Sequence, residues 1–201
     1  QCLGRMWLWG EFHRLSAAVR RSRMSNPDFQ RNYFELFDLP VGYALDEEKL
    51  GTRYRKLQRE LHPDRFAGGS AHEQRLAVQY SSLVNEAYAT LRKPLPRALY
   101  LLEIAGMGAE TIAGQPLDGG FLMQQMELRE KLEDMEDLVD PETALDHLVT
   151  EIGEDVEALQ QQFSRAYSAQ EMTAAASACV KMQYLDKLLR EAEQLESRLL
   201  D

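Results

Sequence analysis

The sequence has little cysteine, few basic residues and no long apolar run. Its 201 residues include two cysteines, Cys2 and Cys179, far apart and without a CxxC spacing. That usage argues against a disulfide framework or a structural zinc site and favours a reducing compartment. No apolar run approaches the ~18–20 residues that a bilayer-spanning helix needs. The net charge of −10 disfavours a non-specific nucleic-acid binder, which needs many Lys and Arg side chains on phosphates. We therefore expect neither a membrane nor a nucleic-acid partner.

Charge divides the chain into three segments. Residues 1–23 carry five Arg and one Glu, residues 24–94 balance ten basic against ten acidic side chains, and residues 95–201 carry eight basic against twenty-two acidic ones. This asymmetry indicates two modules with different partners, preceded by a basic extension. The Arg-rich extension suits an organelle transit peptide, but Met24 can equally be the natural start, with upstream sequence before it. We favour the second interpretation, and with it a bacterial cytoplasm over a mitochondrial matrix.

The sequence also has no sustained alternation of apolar and polar residues, the pattern typical of a β-strand, so it predicts an all-α protein. In the front module we expect a short helix over residues 32–39, a second helix capped by Asp46, and a third over residues 71–92. The second helix carries an apolar face and a basic face. The apolar face is Leu50, Tyr54, Leu57 and Leu61, and the basic face is Arg53, Arg55, Lys56 and Arg59.

The back module begins after a connecting helix at residues 95–105 and a loop rich in glycine and proline. It reads as three long helices: one over residues 118–139, one with Asp140 as N-cap and Pro141 at its first position, and one opened by a capping-box pattern at Ser168 and ending at Leu200. Short connections between long amphipathic helices predict an antiparallel three-helix bundle. The middle helix carries an apolar stripe of Leu145, Leu148, Ile152, Val156, Leu159 and Phe163.

The tripeptide His62-Pro63-Asp64 falls between two long predicted helices, directly after the basic face. Pro63 fixes its own φ and disfavours helix at His62, so the loop is held in a defined shape. His62 and Asp64 then offer an imidazole and a carboxylate where the core needs neither. Taken alone, the two side chains could merely cap helix ends, with the basic residues as an ordinary solvated face.

The motifs around this loop resemble a J domain over residues 32–92. They are Tyr33-Phe34-Glu35-Leu36-Phe37, His62-Pro63-Asp64-Arg65-Phe66, and Val84-Asn85-Glu86-Ala87-Tyr88 with Leu91. The resemblance implies docking on the ATPase region of a heat shock protein 70-type chaperone and acceleration of its ATP hydrolysis. It assigns the trigger to His62, Pro63 and Asp64, and electrostatic contact to Arg53, Arg55, Lys56, Arg59 and Arg65.

Beyond the J domain the chain is similar to the HscB family, with coverage of about residues 28–201. The shared motifs lie at residues 95–102, 121–123, 127–130 and 185–188. The resemblance implies a J domain at 24–94, a connecting helix and loop at 95–117 and a three-helix bundle at 118–201, in an L-shaped arrangement. It also implies that the bundle binds the iron–sulfur scaffold IscU and presents it to the chaperone HscA. We expect the chain to be a monomer.

The first bundle helix carries apolar residues on two sides. Phe121, Leu128, Leu132, Met135 and Val139 form one stripe, whereas Leu122, Met123 and Met126 lie roughly 100–200° away, with Glu127 and Glu130. An apolar patch ringed by acids indicates a partner surface, although the connecting helix could instead cover it. The family resemblance assigns scaffold binding to Leu122, Met123, Met126, Glu127, Glu130 and Tyr184, with Tyr at the last position a departure from Phe.

Two other functions remain open. A general J-domain co-chaperone would present other protein clients, and a helical metal enzyme would use His62, Asp64 and His72. The spacing of those three residues matches no metal motif. The sequence also contains no phosphate-cradling glycine loop and no nucleophile elbow. We therefore predict a protein without a cofactor, a metal site or catalysis of its own.

Overall fold

The structure, a computed structural model, describes residues 31–200. The expectations for residues 1–23 and for a start at Met24 lie outside the described residues. Between residues 31 and 200 every regular element is a helix, which confirms the all-α fold class. No helix in that range is both long enough and apolar enough to span a bilayer. The described chain forms two compact units, one of residues 31–40 and 46–89, the other of residues 41–45 and 90–200.

The first unit begins with α1 (Tyr33–Leu36), which is shorter than predicted. Asn32 and Glu35 form a capping box, in which Asn32 Oδ1 accepts from the Glu35 N–H at 2.9 Å and the Glu35 carboxylate accepts from the Asn32 N–H at 3.3 Å. The helix ends before the predicted residue 39 because Asp38 adopts a left-handed backbone conformation, with φ of 51°.

The helix α2 (Glu47–Glu60) and the helix α3 (Ala71–Arg92) begin and end close to the predicted positions. Asp46 caps α2 as expected, with its Oδ1 accepting from the Lys49 N–H at 2.9 Å. An unpredicted capping box opens α3: the Ser70 N–H donates to the Glu73 carboxylate at 2.7 Å, and the Glu73 N–H donates to Ser70 Oγ at 3.3 Å. Between α2 and α3 lies an unpredicted 3₁₀ turn, Pro63–Phe66.

The second unit contains five helices within the described chain. They are α4 (Pro94–Ile104), α5 (Ala109–Ala113), α6 (Gly119–Glu133), α7 (Pro141–Ser168) and α8 (Met172–Leu199). Helix α4 matches the predicted connecting helix. Helix α5 lies inside the segment predicted as loop. A 3₁₀ turn, Asp134–Asp137, follows α6.

Cross-helix contacts define the direction of the bundle helices. Gln124 and Lys131 on α6 reach Asp155 and Glu151 on α7, so these two helices run antiparallel. Asp118, just before α6, and Arg129 on it reach Lys181 and Glu191 on α8, so α6 and α8 run parallel. The core between the three helices includes Phe121, Leu128, Leu132, Leu148, Ile152, Leu185 and Leu188. The predicted three-helix bundle is confirmed.

Two predictions about the bundle are wrong. The predicted core stripe includes Val139, but this residue is fully exposed, because α6 ends at Glu133 and the following residues leave the helical path. The predicted capping box starts at Ser168, but this residue is the last of α7. The chain then turns through Gln170, with φ of 62°, and Glu171 precedes α8 without a side-chain cap. The Asp140 cap and Pro141 are confirmed.

Candidate functional sites

The His62-Pro63-Asp64 loop is a compact 3₁₀ turn. Pro63 occupies its first position, where a missing N–H costs no hydrogen bond and a fixed φ matches the turn. The Arg65 N–H donates to the His62 carbonyl at 3.0 Å, and the Gly69 N–H donates to the Phe66 carbonyl at 2.9 Å. These backbone hydrogen bonds give the loop a defined shape, and the His62 side chain also caps the turn by accepting from the Asp64 N–H.

The two polar side chains of this loop face solvent. The exposed fraction is 61% for the His62 side chain and 89% for the Asp64 side chain. The Nδ1 atom of His62 lies 3.4 Å from both the backbone nitrogen and Oδ2 of Asp64. A neutral Nδ1 accepts from the Asp64 N–H, whereas a protonated Nδ1 pairs with the carboxylate. In either state the contact is local, and the remaining carboxylate oxygen is open to a partner.

The basic face of α2 divides by the contacts that its members make. Arg55 and Arg59 are exposed and bond only within α2, to Thr52 Oγ1 and to the Arg55 carbonyl. Together they line a shallow depression with Gln58, Leu61, His62 and Ser81. Lys56 is half-buried and Arg65, in the turn, is exposed. The structure therefore brings Arg55, Arg59 and His62 to one surface.

Arg53 differs from the other basic residues of α2. Its guanidinium donates to the carbonyl oxygens of Phe37 and Asp38, and its Nη1 lies 3.0 Å from the Asp38 carboxylate. These contacts hold the turn after α1 against α2. This structural role of Arg53 is not predictable from its place on the basic face, since nothing local in the sequence connects it to Asp38.

An apolar surface is open on the bundle. Leu122, Met123, Met126 and Tyr184, here called the apolar patch, are each 46–65% exposed. Glu127 and Glu130 are also exposed on α6. The alternative that the connecting helix covers this side is wrong, because all four side chains of the patch remain exposed.

Tyr184 lies beside the start of α6. Its ring packs edge-on against Phe121, with 6.3 Å between ring centroids and an interplanar angle of 77°. Phe121 is buried and directly precedes Leu122, so it joins the α8 part of the patch to the α6 part. The Lys181 ammonium lies 5.2 Å from the centre of the Phe121 ring. Tyr184 is among the predicted site residues, whereas Lys181 is not, because its position three residues before Tyr184 is the one sign of it in the sequence.

Metal-binding and thiol chemistry have no support in residues 31–200. That range holds no group of three or more His, Cys, Asp or Glu side chains able to bind a metal ion, so His62, Asp64 and His72 form no such group. Burial raises the pKa of the Cys179 thiol to about 12, which leaves it protonated and unreactive at neutral pH.

Comparison with known proteins gives matches along most of the chain. The family described as HSCB C-terminal oligomerisation domain matches residues 117–193. The co-chaperone protein HscB homolog of Aeromonas salmonicida is 43% identical over 170 residues, 85% of this chain and 99% of that protein. The chaperone HscB from Vibrio cholerae is 39% identical with a TM-score of 0.76, over 84% of this chain and 99% of that one. The human co-chaperone protein HscB is 31% identical with a TM-score of 0.78, over 85% of this chain and 84% of that one.

Proposed function

Because the chain belongs to the HscB family of co-chaperones, we propose that it activates one partner and delivers another. The first partner is an HscA-type chaperone of the heat shock protein 70 class, whose ATPase it stimulates. The second is an IscU-type iron–sulfur scaffold, which it brings to that chaperone. The observation that carries the proposal is the presence of two exposed surfaces of different chemistry, a charged loop in the first unit and an apolar patch in the second.

The charged surface supports the chaperone half of the proposal. Arg55 and Arg59 give the depression beside His62 a positive charge, which attracts an acidic partner surface and speeds encounter. Arg65 adds a further positive charge in the turn, and Lys56 extends the basic face along α2. Asp64 then offers an exposed carboxylate to a cationic group of the chaperone, with Pro63 and the backbone bonds of the turn fixing its position. ATP hydrolysis itself takes place in the partner, so this chain is not an enzyme.

The apolar surface supports the scaffold half. Leu122, Met123, Met126 and Tyr184 offer apolar contact, and aromatic residues are frequent energetic centres of protein interfaces. Glu127 and Glu130 border the patch and favour a partner with basic residues beside an apolar segment. The iron–sulfur cluster is then the scaffold's cargo. This chain needs no cofactor for either role.

A second candidate is a general co-chaperone that presents other clients. The flexible Met123 and Met126 side chains favour it, because methionine-rich surfaces adapt to several partners. Calorimetry separates the two functions: a dedicated protein binds the scaffold much more tightly than an unfolded polypeptide, and a general one does not. The bacterial source of the Aeromonas and Vibrio relatives favours a bacterial cytoplasm as the setting, with a mitochondrial matrix as the alternative.

A steady-state ATPase assay tests the proposal. Purified HscA-type chaperone is measured alone, with this chain, and with this chain and an IscU-type scaffold together. We expect stimulation by the chain and further stimulation when the scaffold is added. An unchanged rate of ATP hydrolysis at a saturating concentration of this chain would contradict the chaperone half of the proposal. A scaffold that neither binds this chain nor increases the stimulation further would contradict the scaffold half.

A further inference from the structure

Four residues connect α6 to α8 at the edge of the apolar patch. The Asp118 carboxylate makes two contacts: Oδ1 accepts from the Phe121 N–H at 2.9 Å and caps α6, while Oδ2 accepts from Lys181 Nζ at 2.5 Å. The hydrogen bonds from Lys181 and from the Phe121 N–H hold the pKa of Asp118 below its ordinary 3.8. The Asp118 carboxyl is therefore ionised at neutral pH.

Lys181 is placed unusually for a lysine. Its side chain is only 17% exposed, whereas most lysines extend into solvent. The ammonium group lies against the Phe121 ring and on the Asp118 carboxylate at the same time. Because Lys181 precedes Tyr184 by three residues, both side chains lie on one face of α8, and Phe121 touches both.

We propose that Lys181 is a positioning residue of the apolar patch. It fixes the first turn of α6, which carries Leu122 and Met123, relative to Tyr184 on α8. A partner that contacts both helices then finds them already in place, and pre-organised surfaces bind more tightly because less freedom is lost on binding. This inference rests on the proposed scaffold binding, and it names a residue outside the patch that sets the affinity.

Other ion pairs of the bundle do not have this geometry. Arg129 and Glu191 also join α6 to α8. Arg129 lies eleven residues after Asp118, and Glu191 lies ten residues after Lys181, so this pair is roughly 15 Å farther along the helices. Arg198 pairs with Glu136 at 3.2 Å still farther from the patch. The second pair is a matched control, because its removal deletes a cross-element ion pair without touching Phe121 or Tyr184.

The test measures scaffold affinity by calorimetry in a set of variants of the full chain. Lys181→Met keeps the apolar stem and removes the charge, and we expect about fivefold weaker binding of an IscU-type scaffold. Asp118→Asn keeps the capping oxygen and loses the charge, so it should give a similar loss. The double variant should bind no more weakly than Lys181→Met alone. Lys181→Arg should restore most of the affinity, and Arg198→Met should match the wild type.

A second readout needs no partner. In NMR spectra of the free chain, the Tyr184 ring resonances should shift in Lys181→Met and Asp118→Asn and stay in place in Arg198→Met. Wild-type affinity in Lys181→Met, or fully additive losses in the double variant, would overturn the positioning role. If Leu122→Ala with Met126→Ala weakens binding while Lys181→Met does not, only the positioning role fails. If the wild type does not bind the scaffold, both proposals fail.

Discussion

Arg53 and Asp38 form an ion pair across 15 residues of sequence, with Arg53 Nη1 3.0 Å from the Asp38 carboxylate. The same guanidinium donates to the carbonyl oxygens of Phe37 and Asp38. Asp38 has a left-handed backbone conformation, so the carbonyls of this turn are oriented for Arg53 rather than for a continuing helix. The pairing separates Arg53, which is tied to the turn after α1, from Arg55 and Arg59, which are exposed on the same helix.

Arg53→Met is therefore expected to destabilise the first unit. The variant loses the ion pair and leaves two carbonyl oxygens without their donor, which should lower the free energy of unfolding by about 1–2 kcal/mol. Chemical denaturation monitored by circular dichroism measures the loss. Arg59→Met is the control, since Arg59 donates to the Arg55 carbonyl within α2 and the stability of this variant should match the wild type. Equal stability of both variants would show that the Arg53 contacts are energetically unimportant.

Arg55→Gln with Arg59→Gln should weaken chaperone engagement without changing stability. Both side chains are exposed beside His62, and their charge is expected to steer and hold an acidic partner. We expect the chain concentration for half-maximal ATPase stimulation to rise about 5–10-fold at low salt. The difference in half-maximal concentration between variant and wild type should shrink at about 0.5 M salt, because added ions screen exposed charges. A difference independent of salt would argue against an electrostatic role.

Asp155→Asn should stabilise the bundle at neutral pH, and this gain in stability should disappear in acid. Burial, and then the neighbouring Glu151 and Glu154 charges, raise the pKa of Asp155 above its ordinary 3.8. The folded chain thus holds this proton more tightly than the unfolded chain, so the ionised carboxylate opposes folding above the folded-state pKa. Below pH 3.8 the carboxyl is protonated in both states and the cost disappears.

The measurement is the midpoint of thermal unfolding at pH 7 and at pH 3. Asparagine keeps an oxygen that can accept the hydrogen bond from Gln124. The variant should therefore have a higher unfolding midpoint than the wild type at pH 7 and the same midpoint at pH 3. Glu193→Gln, at an exposed carboxylate of α8, serves as the control with no gain. A gain of the same size at both pH values would refute the assigned cause.

Tyr184→Phe tests whether the ring or the hydroxyl of this residue matters. Phenylalanine keeps the edge-on contact with Phe121, so we expect scaffold affinity within about twofold of wild type. Tyr184→Ala removes the ring and should cost about tenfold or more, as truncation of an aromatic interface residue commonly does. Calorimetry measures both variants. Equal losses in the two would assign the effect to the hydroxyl instead.

The sequence predicted those parts of the fold that depend on local signals. Asp46 and Asp140 were identified as caps because each precedes an amphipathic run, and each does cap its helix. The error at Val139 came from extending a helical period past the point where the helix ends. The error at Ser168 came from reading a cap pattern inside a helix that had not yet ended.

In the candidate sites too, features that depend on local signals are predictable, and features that depend on distant contacts are not. The helical phase of Leu122, Met123 and Met126 predicts that they lie away from the core stripe, but whether α4 covers them depends on the fold, and all three are exposed. The roles of Arg53 and Lys181 depend on partners 15 and 63 residues away in sequence. No periodicity or local motif specifies such contacts, so they became visible only in the folded chain.

The central claim is that activation and delivery use two separate surfaces, and one pair of variants tests it most directly. Each variant is measured for ATPase stimulation of an HscA-type chaperone without scaffold, and for calorimetric affinity to an IscU-type scaffold. Asp64→Asn should abolish stimulation and bind the scaffold like the wild type. Leu122→Ala with Met126→Ala should bind the scaffold at least about tenfold more weakly and stimulate like the wild type. Undiminished stimulation by Asp64→Asn, or scaffold affinity unchanged in the double variant, would contradict the account.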